Sequence, residues 1–358
     1  MDYNDFEQNG ASGGTYYATP RWNDFTIDDE RRAKRRFSRF FLATFIYMLL
    51  ANVVAIAVEL IITLVMGEGA NAILGSVWYV WGLNVFVMYI VAFPTLFLIV
   101  KGMKNTVRTK KKLRASDFLV FFLIGEALMT VGSLIGNYLN MMIGVFVGHE
   151  ITNTTSELIE SSPVWLIILV AVIIGPIVEE LIFRKLLMDK LGMYGDRIAI
   201  LVSAVAFGIF HGNLYQLFYA FLLGLLLAYV YSKTSNILYP ILLHMLMNFF
   251  GSVLPLPLLD YMDRYTEIME IMAAGGEYDM AEYTRLTMIL GSYSLVQWGL
   301  VIAGFIFLYK LRKKFFVSDR CEVLIPKERR AAVILGNAGV ILYISLMLVS
   351  MALGIIFP

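Results

Sequence analysis

The sequence holds one cysteine, three histidines and 16% charged residues in 358 positions. A lone Cys321 excludes an intramolecular disulfide framework. The charged fraction falls well below the ~25% of a soluble domain, and mean hydropathy is +0.72. The net charge of +1 says nothing about partners, and no nucleic-acid partner is expected. Three catalytic signatures are also missing. The nearest string to H-E-x-x-H is "HEITN" at 149–153, which has no second histidine. "GASG" occurs only in the polar tail, at Gly10 to Gly13, and "GMYGD" at 192–196 has one residue too many for G-x-G-D. No internal or inverted repeat is visible, which argues against a transporter built from matching halves.

What the chain has instead is apolar length. Runs of ~18 or more apolar residues recur, each long enough to cross ~30 Å of hydrocarbon. They lie at about 41–66, 74–100, 118–147, 164–187, 214–231, 237–254, 286–308 and 333–357, with a short one at 198–210. The expected fold is all-α, a polytopic membrane bundle of eight or nine helices. Residues 1–37 are expected to form a polar cytoplasmic tail, 38–162 an N-terminal set of spans, 163–252 a core and 253–358 an outer loop with the last spans. Residues 1–30 read as flexible, and no apolar core of a signal peptide is present there. In the segment 255–285, Met262, Ile268, Met269 and Ile271 suggest an amphipathic outer helix.

Lys and Arg alternate with the spans. "RRAKRR", "KGMKNTVRTKKKLR" and "KLRKKFFVSDRCEVLIPKERR" hold 20 of the 29 basic residues, whereas "GEGAN", "GHEITNTTSELIESS" and 255–285 are acidic or neutral. An N-inside topology with an odd number of spans puts every basic cluster in the cytoplasm. A bacterial plasma membrane is the expected location.

Polar residues inside the spans carry the chemistry. "GPIVEELIFRKLL" (175–187) places Glu179, Glu180 and Arg184 in an otherwise apolar run. A charge at bilayer depth costs at least ~2.5–3.5 kcal/mol, so these residues need a reason. Glu180 and Arg184 are i,i+4 and can pair on one helix face. Glu179 points about 100° away and is left for another partner. Pro176 just before them can kink the helix. Phe207 and His211 are also i,i+4, and Gly208 with Gly212 forms a G-x-x-x-G packing pair. In the next span but one, His244 and Asn248 share a face. Counted from the basic ends, Glu179, His211 and His244 lie at ~12–20 Å depth, so they can meet in one layer. A carboxylate, two imidazoles and an amide suit water activation and oxyanion stabilisation. The bland alternative is structural glue, with an ion pair and hydrogen-bonded histidines that only hold helices together.

"EELIFR" (179–184), "FGIFH" (207–211) and "HMLMN" (244–248) resemble the three motifs of the CAAX prenyl protease and bacteriocin-processing family (CPBP, or Abi). The likeness covers about 163–252. It implies an intramembrane endopeptidase acting near the cytoplasmic side on a peptide or protein substrate, lipidated or membrane-bound. Carried over by position, it makes Glu179 the water-activating carboxylate and His211 its partner. His244 and Asn248 become the oxyanion side, and Glu180, Arg184 and Phe207 support them. Two matters stay open. Glu179, His211 and His244 are sufficient for a zinc site of the His₂Glu kind, although a metal-free mechanism is favoured. A non-enzymatic immunity, peptide-binding or transport protein could use the same polar cluster.

Overall fold

The computed structural model describes residues 25–313, 315 and 321–357. The "GASG" string and most of the expected tail lie outside the described residues. Helices account for the spans in order. α1 is Ile27–Met66, α2 the short Ala70–Leu74 and α3 Val77–Val100. α4 is Ala115–Val147, α5 Thr154–Glu160 and α6 Val164–Tyr194. α7 is Asp196–Phe210, α8 Leu214–Thr234 and α9 Leu238–Ser252. α10 is Leu259–Ala273, α11 Met280–Leu311, α12 Lys327–Ile334 and α13 Ala338–Ile356. Among the described residues eight helical runs are long and apolar enough to cross a membrane, and the chain is an integral multi-pass membrane protein.

Several boundaries differ from expectation, each for a local reason. Helix starts at Ile27, inside the segment 1–37 expected as a polar tail and ahead of the first apolar run. There Thr26 and Asp29 form a reciprocal capping box that satisfies the first orphan amides. The last apolar run is two helices. Asn337 breaks it and caps α13 by accepting from the Val340 amide at 3.1 Å. The short run at 198–210 is the 15-residue α7. At ~22 Å it is shorter than the hydrocarbon layer. It pairs antiparallel with α8, since Ser232 Oγ near the end of α8 donates to Asp196 at the start of α7, at 3.0 Å. The expected amphipathic outer helix is α10, with Ile268 buried.

Pro176 does not break α6. Wider π-helical turns at Ile168–Ile174 and Leu181–Met188 bracket the segment Gly175–Glu180. Such turns absorb a missing donor and rotate the side chains that follow. The loop 101–114, rich in Lys and Arg, is strapped across the helix ends. The Thr106 amide donates to Asp189 O, and the Lys111 amide to Thr234 O. The Leu113 amide donates to the Tyr239 hydroxyl, and Arg108 pairs with Asp196 at 2.7 Å. This strap fixes where α6, α7, α8 and α9 begin or end on one side. An apolar core of α1, α3, α6, α7 and α13 packs on one flank, and a second of α4, α8, α9 and α11 on the other.

Candidate active site

α6 supplies the carboxylates. Arg184 Nε lies 3.1 Å from Glu180 Oε2, and both side chains are fully buried. The contact is an ion pair by distance, but its atoms are out of line for a hydrogen bond. Arg184 Nη2 donates to Gly224 O on α8 at 3.3 Å, and the guanidinium sits 4.6 Å from the centre of the Phe207 ring. Arg184 therefore ties α6 to α7 and α8 as well as neutralising Glu180.

The other oxygen of Glu180 reaches α9. His244 Nδ1 is 3.0 Å from Glu180 Oε1. A carboxylate accepts, so Nδ1 carries the proton and donates. Nε2 of the same ring lies 3.7 Å from Glu179 Oε2. Adjacent carboxylates thus flank one buried imidazole. The expectation that Glu180 pairs with Arg184 holds, and Glu180 has a second partner that spacing alone did not reveal. Glu179 meets His244. Among the described residues no hydrogen bond or ion pair joins Glu179 to His211.

His211 follows the end of α7. Its Nδ1 is 3.0 Å from Phe207 O, so Nδ1 donates to that carbonyl and Nε2 is left as an acceptor. The Phe207 ring stands edge-on to both imidazoles, with centroids 5.0 Å from His211 and 5.5 Å from His244. It is the wall on which the histidines meet. Gly208 lets α8 approach, since a Cβ there would lie 2.9 Å from Leu217 O. The second glycine of the expected G-x-x-x-G pair faces α13, since a Cβ on Gly212 would lie 2.9 Å from Ser350 Oγ. Gly212 is a turn residue with φ +67°, the left-handed region that favours glycine. Asn248 Nδ2 donates to Ala171 O at 2.9 Å, which joins α9 to α6 and leaves one N–H of the amide for another acceptor.

One residue was not singled out in the sequence. A Cβ on Gly175 would meet the Tyr89 hydroxyl at 3.3 Å and Glu179 Oε1 at 4.0 Å. Gly175 is one turn before Glu179, and helical side chains lean toward the N-terminus. The absent side chain therefore makes the space that the Tyr89 hydroxyl and the carboxylate share. Twenty tyrosines in the chain gave Tyr89 no distinguishing signal. His149 stays apart, with its Nδ1 near Glu150 O in an exposed loop. Glu179, His211 and His244, the set a zinc ion would use, are not gathered round one point. Among the described residues no three His, Cys, Asp or Glu side chains are grouped to hold a metal ion.

Residues 161–250 match the family described as type II CAAX prenyl endopeptidase Rce1-like. The chain is 35% identical over 134 residues to the Bacillus subtilis (strain 168) protein named "Putative membrane peptidase YdiL", covering 36% of this chain and 54% of that one. It is 26% identical over 174 residues to the membrane-embedded CAAX protease MroQ of Staphylococcus aureus (strain USA300), covering 46% of this chain and 70% of that one. The alignment therefore spans about half the length of the first relative. No solved structure matches the chain significantly. The resemblance read from the three motifs is borne out: over the segment that holds Glu179, Glu180, Arg184, Phe207, His211, His244 and Asn248, the chain is similar to the Rce1-like CAAX prenyl endopeptidases.

Proposed function

We propose that the chain is an intramembrane endopeptidase of the CAAX-protease type, cutting a peptide or protein substrate near the cytoplasmic side of a bacterial plasma membrane. The observation that carries this reading is the meeting of Glu179 with the His244 imidazole at 3.7 Å beside Phe207 and His211. Purely structural glue would pair the charges and stop there. Here Glu179 is partly accessible, at 19%, while Glu180 beside it is sealed.

The reaction follows from the donors and acceptors. A water is oriented by donating one hydrogen to His211 Nε2 and gives its other proton to Glu179. The hydroxide adds to the scissile carbonyl carbon, and the carbonyl oxygen takes the negative charge. Three donors would stabilise it: the remaining N–H of Asn248, the Tyr89 hydroxyl, and His244 Nε2 when protonated. Glu180 holds the ring of His244 through Nδ1. Collapse of the intermediate breaks the C–N bond, and the proton held by Glu179 passes to the leaving amine. Proton transfer of this kind contributes ~10²–10⁴-fold, and each oxyanion donor ~10²–10³-fold.

The test is purified protein in lipid with an isotope-labelled library of membrane-anchored peptides, read by mass spectrometry for new termini. Wild type is expected to make them, and Glu179→Gln, which keeps the shape and removes the base, is expected to make none. Peptides that bind wild type without being cut would overturn the enzymatic reading in favour of a binding or immunity protein.

A further inference from the structure

On the face of α7 that does not carry Phe207 lies an apolar cavity of about 230 Å³, walled by α1, α7, α12 and α13. Phe41, Val205, Ile209 and Ile344 line it, and Tyr343 crosses its floor to donate to Ala206 O at 2.8 Å. Val205 is 41% exposed and Leu201 beside it 54%, so one side opens where the bilayer would be. The volume is below the ~300–1,000 Å³ of pockets that enclose a whole small molecule. It suits a length of hydrocarbon chain whose other end lies outside.

One charged group stands at its rim. Arg330 lines the cavity and its Nε donates to Ile325 O at 3.1 Å. No ion pair among the described residues involves Arg330, whereas its neighbour Arg329 meets Glu30 at 3.3 Å. A guanidinium with no ion pair among the described residues, beside an apolar slot at the basic end of α12, matches a phosphate attached to an acyl chain. We propose that this groove is a lipid site, holding one acyl chain of an anionic membrane phospholipid with its phosphate on Arg330. The chain would brace the outer face of α7, the helix that carries Phe207 and leads into His211.

The full chain, purified in mild detergent, would be incubated with phosphatidylglycerol or phosphatidylcholine of identical acyl chains. Bound copies are counted by native mass spectrometry. Wild type is expected to retain phosphatidylglycerol about tenfold over phosphatidylcholine. Arg330→Gln should erase that preference. Val205→Trp fills the slot and should lose both lipids while melting normally in lipid-free detergent. If it fails to fold, Ile344→Trp fills the slot from the facing wall. Equal retention of the two lipids by wild type overturns the proposal. So does undiminished phosphatidylglycerol binding in a folded slot-filling variant, or a lipidated peptide recovered in place of the phospholipid.

Discussion

Glu180 Oε1 accepts a hydrogen bond from His244 Nδ1 at 3.0 Å, so α6 and α9 are joined through a buried carboxylate that also faces Arg184. Removing Arg184 strands that charge with a single partner. Arg184→Ala is expected to destabilise by ~3–5 kcal/mol, the usual result of breaking a buried pair from one side. Adding Glu180→Gln removes the stranded charge and should recover part of the loss. Thermal melts of the three proteins in one detergent check this. An Arg184→Ala protein that melts with wild type would mean that the pair is solvated.

Tyr89 and Gly175 separate activity from stability. Tyr89→Phe removes one hydroxyl beside Glu179 and is expected to lower kcat ~10²-fold with KM nearly unchanged, as loss of a transition-state donor does. Gly175→Ala puts a methyl 3.3 Å from that hydroxyl. Alanine is the better helix former by ~1 kcal/mol, which offsets the close approach of its methyl to Val170 O at 3.2 Å, so the melting temperature should change little while kcat falls. Unchanged kcat in both variants would remove Tyr89 from the reaction.

Much of this was legible in the sequence, and the limits have physical causes. Helical periodicity and run length located the spans, because a bilayer demands a minimum apolar length. The i,i+4 rule found Glu180 with Arg184, because both residues sit on one helix. It could not find His244 against both carboxylates, since that depends on how α9 packs on α6 across 64 positions. Tyr89 was invisible for the same reason: its meaning comes from a glycine on another helix. The break at Asn337 was missed because a single cap residue does little to the hydropathy of a long apolar run.

Orientation is testable through the basic strap. In a Cys321→Ser background, Ser116→Cys at the start of α4 should be labelled from the cytoplasmic side. Ser156→Cys on α5 should be labelled from the opposite side. The alternation needs α7 to act as a crossing despite its 15 residues. It turns into α8, where the Tyr215 hydroxyl donates to Ile151 O in the loop after α4, at 2.7 Å. That bond puts the turn between α7 and α8 beside the loop that follows α4, on the side opposite the strap. Labelling of both cysteines from one side would overturn the N-inside topology.

Whether a metal takes part turns on the imidazole nitrogens that stay free. A zinc ion needs ligand atoms at about 2.0–2.2 Å in a tetrahedral set. His244 has Nδ1 on Glu180 and Nε2 3.7 Å from Glu179. His211 has Nδ1 on a backbone carbonyl, which leaves Nε2 for a ligand or a water. Binding one ion through Glu179 and both Nε2 atoms would require the side chains to close in from where they stand, since they form no such group. Glu180 would then orient His244 as a metal ligand, where in the metal-free reaction it orients His244 as a donor to the oxyanion. The expected outcome is metal-free catalysis. Elemental analysis of active, purified protein should find less than stoichiometric zinc, and prolonged chelator treatment should leave kcat unchanged. One equivalent of zinc, lost and restored in step with activity, would overturn this assignment and turn Glu179, His211 and His244 into ligands. Glu179→Gln would then lower zinc content as well as rate, a difference that separates a missing base from a missing ligand.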